Sequence, residues 1–288
     1  MTSYKNLYTT KGIPFEGKTV DSFLDLYETI YYYESSFAAE TKISSILKNG
    51  IQSGEDAYYV LAWKLGGINK NRTNADPNDN IHCNGDNWRF YEEVDQVIHC
   101  TGTYQGGVIY FKKNEMDYLE RFEGKGEIGK QLNNLKEKLT IVDRLDENEA
   151  NKIAAETLNL LAKDAPRGIG PVYLITLLYF LTQGKKYPIY DKFAHTALKA
   201  ILSTDDIPFG GDITDDLINK DFPSKTDPKF GQKVLGIEGK NKKYIEYIKL
   251  INQFEKDFNI QYYTTKKGTN RRVDRALWSY GHMFNVNK

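Results

Sequence analysis

Apolar residues recur at three- and four-residue spacing along most of this chain, the period of helices that bury one face. From Val20 to Tyr33 the stripe is Phe23, Leu24, Tyr27, Ile30 and Tyr31. Ser36 to Leu47 continues it with Ile43, Ile46 and Leu47, and Asn49-Gly50 supplies a C-terminal stop. Asp56 to Leu65 predicts a third helix, closed by Gly66-Gly67. The run Asn69 to Gly85 is rich in Asn, Asp, Pro and Gly and predicts a long surface loop. A helix is predicted over Trp88 to His99, then a short extended piece within Gly102 to Lys112. Helical patterns follow at Glu127 to Leu139, Glu147 to Leu161, Pro171 to Leu181, Lys192 to Leu202, Asn241 to Phe258 and Arg272 to Met283. Residues 203–239, rich in Gly, Pro and Asp, read as an irregular segment.

The pattern describes a mainly α chain with minor extended segments and no internal repeat. Its 288 residues suffice for one large domain or for two helical lobes flanking a cleft. A break near residue 140 would divide an N-terminal helical lobe, 1–140, from a second lobe, 141–288. No apolar run approaches a membrane span, and Met1-Thr2-Ser3-Tyr4-Lys5 lacks the apolar stretch of a secretory signal. The expected setting is cytoplasmic, with no membrane partner.

Net charge is zero, yet its distribution is uneven. Asp21, Asp25, Glu28, Glu34 and Glu40 make the first segment acidic, whereas Arg271, Arg272 and Arg275 join a basic later half with Lys240, Lys242 and Lys243. Such asymmetry can raise a positive face on a neutral molecule, and an ordinary solvated surface is the other reading. The two cysteines, Cys83 and Cys100, each follow a histidine, His82 and His99. Neighbouring residues in extended chain point to opposite faces, so the pairs read as reduced structural thiols rather than a zinc site. Two thiols cannot ligate an iron–sulfur cluster, and no metal or cofactor is expected.

The chemistry concentrates between Leu158 and Leu202. A helix ends at Pro166-Arg167-Gly168-Ile169-Gly170, a second helix starts at Pro171, and Gly184-Lys185-Lys186-Tyr187-Pro188-Ile189-Tyr190-Asp191 follows. A Gly-x-Gly turn between helices can offer bare backbone amides to a phosphate, with Arg167 beside them. The same turn also serves as a plain αα connection. Asp191 sets a carboxylate at the start of the next helix, where its simplest role is an N-cap.

In order and spacing this stretch resembles the helix-hairpin-helix DNA glycosylase superfamily. There a Gly-containing hairpin and a Gly/Pro-rich loop lead to a catalytic aspartate. The nearest likeness is to prokaryotic members with an oxidised-guanine-glycosylase-like fold, carried by Tyr187-Pro-Ile-Tyr-Asp191 and by Arg272-Val-Asp-Arg-Ala-Leu-Trp-Ser-Tyr-Gly281. It covers about forty residues and that tail, not the N-terminal half. The resemblance implies two helical lobes around a DNA-binding cleft, a helix-hairpin-helix element, and double-stranded DNA with a damaged or modified base as partner. Arg167, Gly168, Gly170, Lys185, Lys186 and Lys192 would hold the DNA backbone, and Asp191 would stabilise the cationic sugar and activate water.

Bifunctional members carry a lysine two residues after the second hairpin glycine; here that position is Val172. The expectation is a hydrolytic enzyme without lyase activity, although Lys64 or Lys192 could stand in. An extruded base needs aromatic walls, for which Tyr190, Trp63, Trp278, Tyr280, His195 and His282 are candidates, with Trp88 and Tyr31-Tyr32-Tyr33 also available. Each has a core role as its alternative. A DNA-gripping module with Asp191 as a cap only, or a helical scaffold without nucleic acid, are the competing functions. Repair and defence against phage with modified DNA are equally open, as is the base removed.

Overall fold

The computed structural model of the chain describes residues 20–34, 37–65, 81–84, 87–94, 97–105, 108–111, 117–166, 168–202, 222–240, 242–265 and 271–283. Three helices come first: α1 (Val20–Glu34), α2 (Phe37–Asn49) and α3 (Gly54–Leu65). Four strands follow, β1 (Ile81–Asn84), β2 (Asn87–Val94), β3 (Val97–Gln105) and β4 (Val108–Phe111). They form two antiparallel pairs, β1 with β4 and β2 with β3. Eight helices complete the described fold: α4 (Asp117–Glu120), α5 (Gly126–Thr140), α6 (Glu147–Ala162), α7 (Pro171–Leu181), α8 (Lys192–Leu202), α9 (Phe230–Val234), α10 (Lys243–Phe258) and α11 (Arg272–Met283).

The mainly helical expectation holds, and the bounds of α7, α8 and α11 match the hydrophobic pattern. One prediction is overturned. Trp88 to His99 is not a helix but most of a β-hairpin, in which Trp88 faces Tyr104 and Glu92 faces His99. The ladder shifts register between Phe90 and Tyr91, which breaks the period-two alternation at that point. The polar run to Gly85 also ends in strand β1, while residues 69–80 lie outside the described part. His82-Cys83 is on β1 and His99-Cys100 on β3, in different strand pairs. Among the described residues no group of three metal-ligating side chains gathers.

One continuous apolar core runs from Phe23 to Tyr280 and draws on helices from both sides of residue 140. At its centre is α7, whose residues Leu174 to Leu181 are all buried, so the helix has no polar face. Gly170 caps it and Pro171 occupies the first turn, where the missing N–H has no helical partner to lose. Packed around it are α3 and α6, and α5 lies against α6. A second layer consists of α11 between α1 and α8, with α10 on the far side of α8. Gly281 makes that layer possible, because a Cβ there would run into the Phe193 carbonyl at the start of α8. No described helix is long and apolar enough to cross a membrane.

The charge asymmetry of the sequence resolves into ion pairs between the first helices and the last. Arg272 of α11 pairs with Asp21 at 2.8 Å and Asp25 at 2.5 Å of α1. Arg275 reaches Glu28 at 2.8 Å and Glu40 at 3.1 Å, and Arg271 reaches Glu40 at 2.9 Å. The acidic first segment and the basic α11 are therefore counter-ions to each other. These three arginines do not form a positive face for DNA.

Glu40 is the hub, with 3 % of its surface exposed. One carboxylate oxygen accepts from the Tyr31 hydroxyl at 2.8 Å and the Trp63 indole N–H at 2.9 Å. The other accepts from Arg271 and Arg275. Burial alone would raise its pKa, but the two guanidinium charges and the two neutral donors hold it below the usual carboxylate value. Arg271 also lies 4.4 Å over the Trp63 ring and pairs with Asp274.

Candidate functional site

The start of α8 is built by the loop that precedes it. Gly184 takes a left-handed conformation at φ 75°, and Lys186 another at 59°. A side chain on Gly184 would collide with Thr264 and Tyr179, so the loop needs glycine there on two counts. The Gly184 carbonyl accepts from the Thr264 N–H at 3.0 Å. The Tyr187 hydroxyl donates to Asn151 of α6, and the Tyr244 hydroxyl of α10 donates to the Pro188 carbonyl at 2.7 Å. Tied to three neighbours, the loop delivers Asp191 in one position.

Asp191 is an N-cap and more than an N-cap. Its Oδ1 accepts from the Phe193 N–H at 2.8 Å, while its carbonyl accepts from the His195 N–H at 2.9 Å. Its Oδ2 accepts from the Lys64 ammonium at 2.8 Å, bringing in α3 from 127 residues away. Both side chains are largely covered but not sealed, with 12 % of Lys64 and 14 % of Asp191 exposed. Chemically this is an amine and a carboxylate joined by a hydrogen bond at a helix N-terminus, within reach of solvent. A capping role alone does not call for Lys64. The charge is felt nearby, since Asp191 helps raise the pKa of buried Tyr247, after the larger effect of burial.

The turn between α6 and α7 has its own anchor. The Lys225 ammonium donates to the carbonyls of Ala165 at 2.8 Å, Pro166 at 2.6 Å and Ile169 at 3.0 Å. Ile169 is fully buried and its N–H donates back to the Pro166 carbonyl. Gly168 and Gly170 are half-buried, and a Cβ on Gly170 would meet nothing within 4 Å. Gly170 thus faces open space. Its carbonyl takes the first internal bonds of α7, from Tyr173 and Leu174, which leaves the N–H of Val172 ahead of the helical ladder. Arg167 lies outside the described residues.

The remaining sequence candidates fall into different surroundings. Lys185 donates to the Thr140 carbonyl and stands 3.9 Å from Asp143, so its ammonium is committed at the end of α5. Lys186 is half-buried, and the Lys192 ammonium is 4.8 Å from the Phe193 ring centre. Tyr190 is 1 % exposed and packs its ring against Phe222, Tyr244, Tyr247 and His195. It is a core residue in this conformation, not a stacking wall. His195 is buried as well; its Nδ1 is 3.2 Å from the Tyr190 hydroxyl. Burial, and then the charge of Lys199, lower its pKa to about 4, so it is neutral at physiological pH.

Tyr280 is fully buried between Phe23 and Tyr27 of α1. Trp278 keeps partial exposure and meets Tyr31 edge-on at 5.5 Å. Trp63 is half-buried beside Lys64, with its indole N–H on Glu40. The side chains of His282, Trp88, Tyr32 and Tyr33 lie outside the described part. Of the aromatic candidates, Trp63 stands next in sequence to the Lys64–Asp191 pair and retains an accessible surface. Sequence reasoning did not find Lys225, which lay in a segment read as irregular. Nor did it find Glu40, read as surface charge. Comparisons with protein-family models, with curated proteins and with solved structures return no match.

Proposed function

We propose that this protein is a DNA glycosylase that hydrolyses the N-glycosidic bond of a damaged or modified base, acting in the cytoplasm on double-stranded DNA. The observation that carries the reading is Asp191. It is fixed at the first turn of α8, one helix after a glycine turn, with one oxygen on the Phe193 amide and the other on a lysine. Cleavage of an N-glycosidic bond builds positive charge on the sugar, and a carboxylate in fixed position lowers the energy of that charge. The same group can orient or deprotonate the attacking water.

The α6–α7 turn fits the role of a helix-hairpin-helix grip on the DNA backbone. Half-buried Gly170 has open space where a side chain would stand, the N–H of Val172 stands ahead of the helical ladder, and Lys225 ties the turn. Base excision in repair and attack on modified phage DNA use this same chemistry, and the base determines which applies.

The test is base release from duplexes carrying oxidised, alkylated or phage-type modified bases, with the abasic sites revealed by alkali. Wild-type protein is expected to release one class of base, and Asp191→Asn to lose that activity. Undiminished release by Asp191→Asn refutes the proposal. The second reading, a DNA-gripping module without catalysis, is favoured by the double commitment of Asp191 to a cap and an ion pair. It predicts salt-sensitive binding and no base release from any duplex.

A further inference from the structure

We infer that the carbonyls of Ala165, Pro166 and Ile169 form a monovalent-cation site, which this chain fills from within by the Lys225 ammonium. The three oxygens lie 2.8, 2.6 and 3.0 Å from that one nitrogen. They belong to the α6–α7 turn, and the lysine comes from 56 to 60 residues further along the chain. The inference concerns the turn itself and stands whether or not the protein removes bases.

The end of α6 explains why the carbonyls gather. The helix stops at Ala162, so carbonyls in and beyond its last turn have no helical N–H to meet and need donors from elsewhere. The first of them are met by side chains of the α4 region. The Tyr118 hydroxyl donates to the Leu161 carbonyl at 2.8 Å, and Arg121 donates to those of Leu160 at 3.2 Å and Lys163 at 2.6 Å. The chain then bends through Pro166 to Ile169, closed by the Ile169 N–H on the Pro166 carbonyl at 2.9 Å. This bend aims three oxygens at one point. Carbonyl dipoles with their negative ends together repel one another unless positive charge stands between them.

The size and charge of the cage define what it takes. Magnesium sits about 2.0–2.1 Å from its oxygen ligands and calcium about 2.3–2.6 Å. The centre here is 2.6–3.0 Å from three uncharged oxygens, which suits a larger ion of single charge, potassium or ammonium. Carbonyl oxygens replace the hydration shell of such an ion. Other lysines that meet carbonyls build no cage. Lys136 donates to the Phe122 carbonyl at 2.6 Å, and Lys185 stands between the Thr140 carbonyl and the Asp143 carboxylate. A tethered ammonium is present at every salt concentration, so the shape of the turn does not depend on the salt around it. The peptide joining Ile169 to Gly170 is trans and planar, so its N–H points away from the cation that its carbonyl meets.

The experiment follows hydrogen exchange at Gly168 to Leu174 in the full chain, in lithium, potassium and ammonium chloride at equal ionic strength. In Lys225→Met, exchange should be fast in lithium and slower in the other two, about tenfold at a salt concentration ten times the dissociation constant. Wild-type exchange should be the same in all three salts. Thallium(I), a potassium mimic observed by NMR, should give a bound signal with Lys225→Met that potassium displaces, and none with wild type. Lys136→Met should show no preference among the salts. Folding of Lys225→Met in potassium but not in lithium is the same positive result. If it unfolds in every salt, Lys225→Gln, whose amide still donates to one carbonyl, carries the comparison. Equal exchange of the folded variant in lithium and potassium overturns the inference, as does the same salt preference in wild type. Where the turn grips DNA as proposed, duplex binding by Lys225→Met follows the same order of salts. Failure of wild type to bind DNA defeats that grip and leaves the cation site standing.

Discussion

Replacing Glu40 by glutamine keeps the shape of the side chain and removes its charge from between two buried arginines. Four donors converge on that carboxylate: Tyr31, Trp63, Arg271 and Arg275. Arg271 is 4 % exposed and Arg275 9 %, so when the anion is gone each keeps one carboxylate, Asp274 or Glu28, and its remaining N–H groups cannot turn to water. The glutamine amide would also point an N–H₂ at donors. Removing one partner of a buried pair costs about 3–5 kcal/mol, a large part of the roughly 5–15 kcal/mol that holds a typical domain together. For a protein of this size each kcal/mol moves the melting midpoint by roughly 2–4 °C.

Urea unfolding followed by circular dichroism measures that loss directly. Glu40→Gln is expected to lower the midpoint strongly, while Lys199→Ala, at a half-exposed ion pair with Glu246, should stay within about 0.5 kcal/mol of wild type. A double replacement, Glu40→Leu with Arg271→Met, should cost less than the sum of the single changes, because it leaves fewer charges stranded. The network's contribution also has a pH signature. The Glu40 pKa is lowered on folding from the ordinary 4.5, so its stabilisation is present above that value and is lost as pH falls through the folded value. A Glu40→Gln protein less than about 1 kcal/mol weaker than wild type would refute the account of α11 as an ion-paired clamp on α1 and α2.

Two further outcomes are expected. His195 carries an ordinary pKa of 6.5 lowered to about 4 by burial, so the unfolded chain binds a proton that the folded one refuses between those values. Stability should fall as pH drops from about 6.5 towards 4, by as much as about 3 kcal/mol from this group, and His195→Gln should flatten that slope. Identical pH profiles for the two proteins would remove His195 as the cause. Lys225→Met takes the ammonium from three carbonyls at the α6–α7 turn and should cost about 1–3 kcal/mol. Amide exchange at Gly168 to Leu174 should accelerate; unchanged protection there means that Lys225 does not hold the turn.

Where the sequence carried a strong local period, it predicted the structure well. Pro171 to Leu181 and Lys192 to Leu202 have dense apolar positions and proline or aspartate at the start, and Gly184 stands beyond the end of the first. Trp88 to His99 was misread because Phe90-Tyr91 puts two large residues side by side at the irregularity in the β2–β3 ladder, masking the alternation. Asp95-Gln96, between Val94 and Val97, contains no glycine and so gives no hairpin signal of its own. Asp191 was visible because its loop and helix are contiguous. Lys64 was one of two lysines the sequence offered as an amine, but nothing local tied it to Asp191, since a lysine 127 residues earlier carries no mark of where its ammonium will settle. Glu40 looked like one more acidic residue on a helix, and only three-dimensional packing surrounds it with donors.

The clamp between α11 and α1–α2 joins residues 231 to 251 positions apart. During synthesis, Asp21, Glu28 and Glu40 therefore leave the ribosome long before Arg271, Arg272 and Arg275 are made. The early helices wait with their acids solvated and with Phe23 and Tyr27 lacking the ring of Tyr280. A stalled or truncated chain lacking α11 should therefore remain open, with Phe23 and Tyr27 uncovered, and be prone to aggregation and degradation.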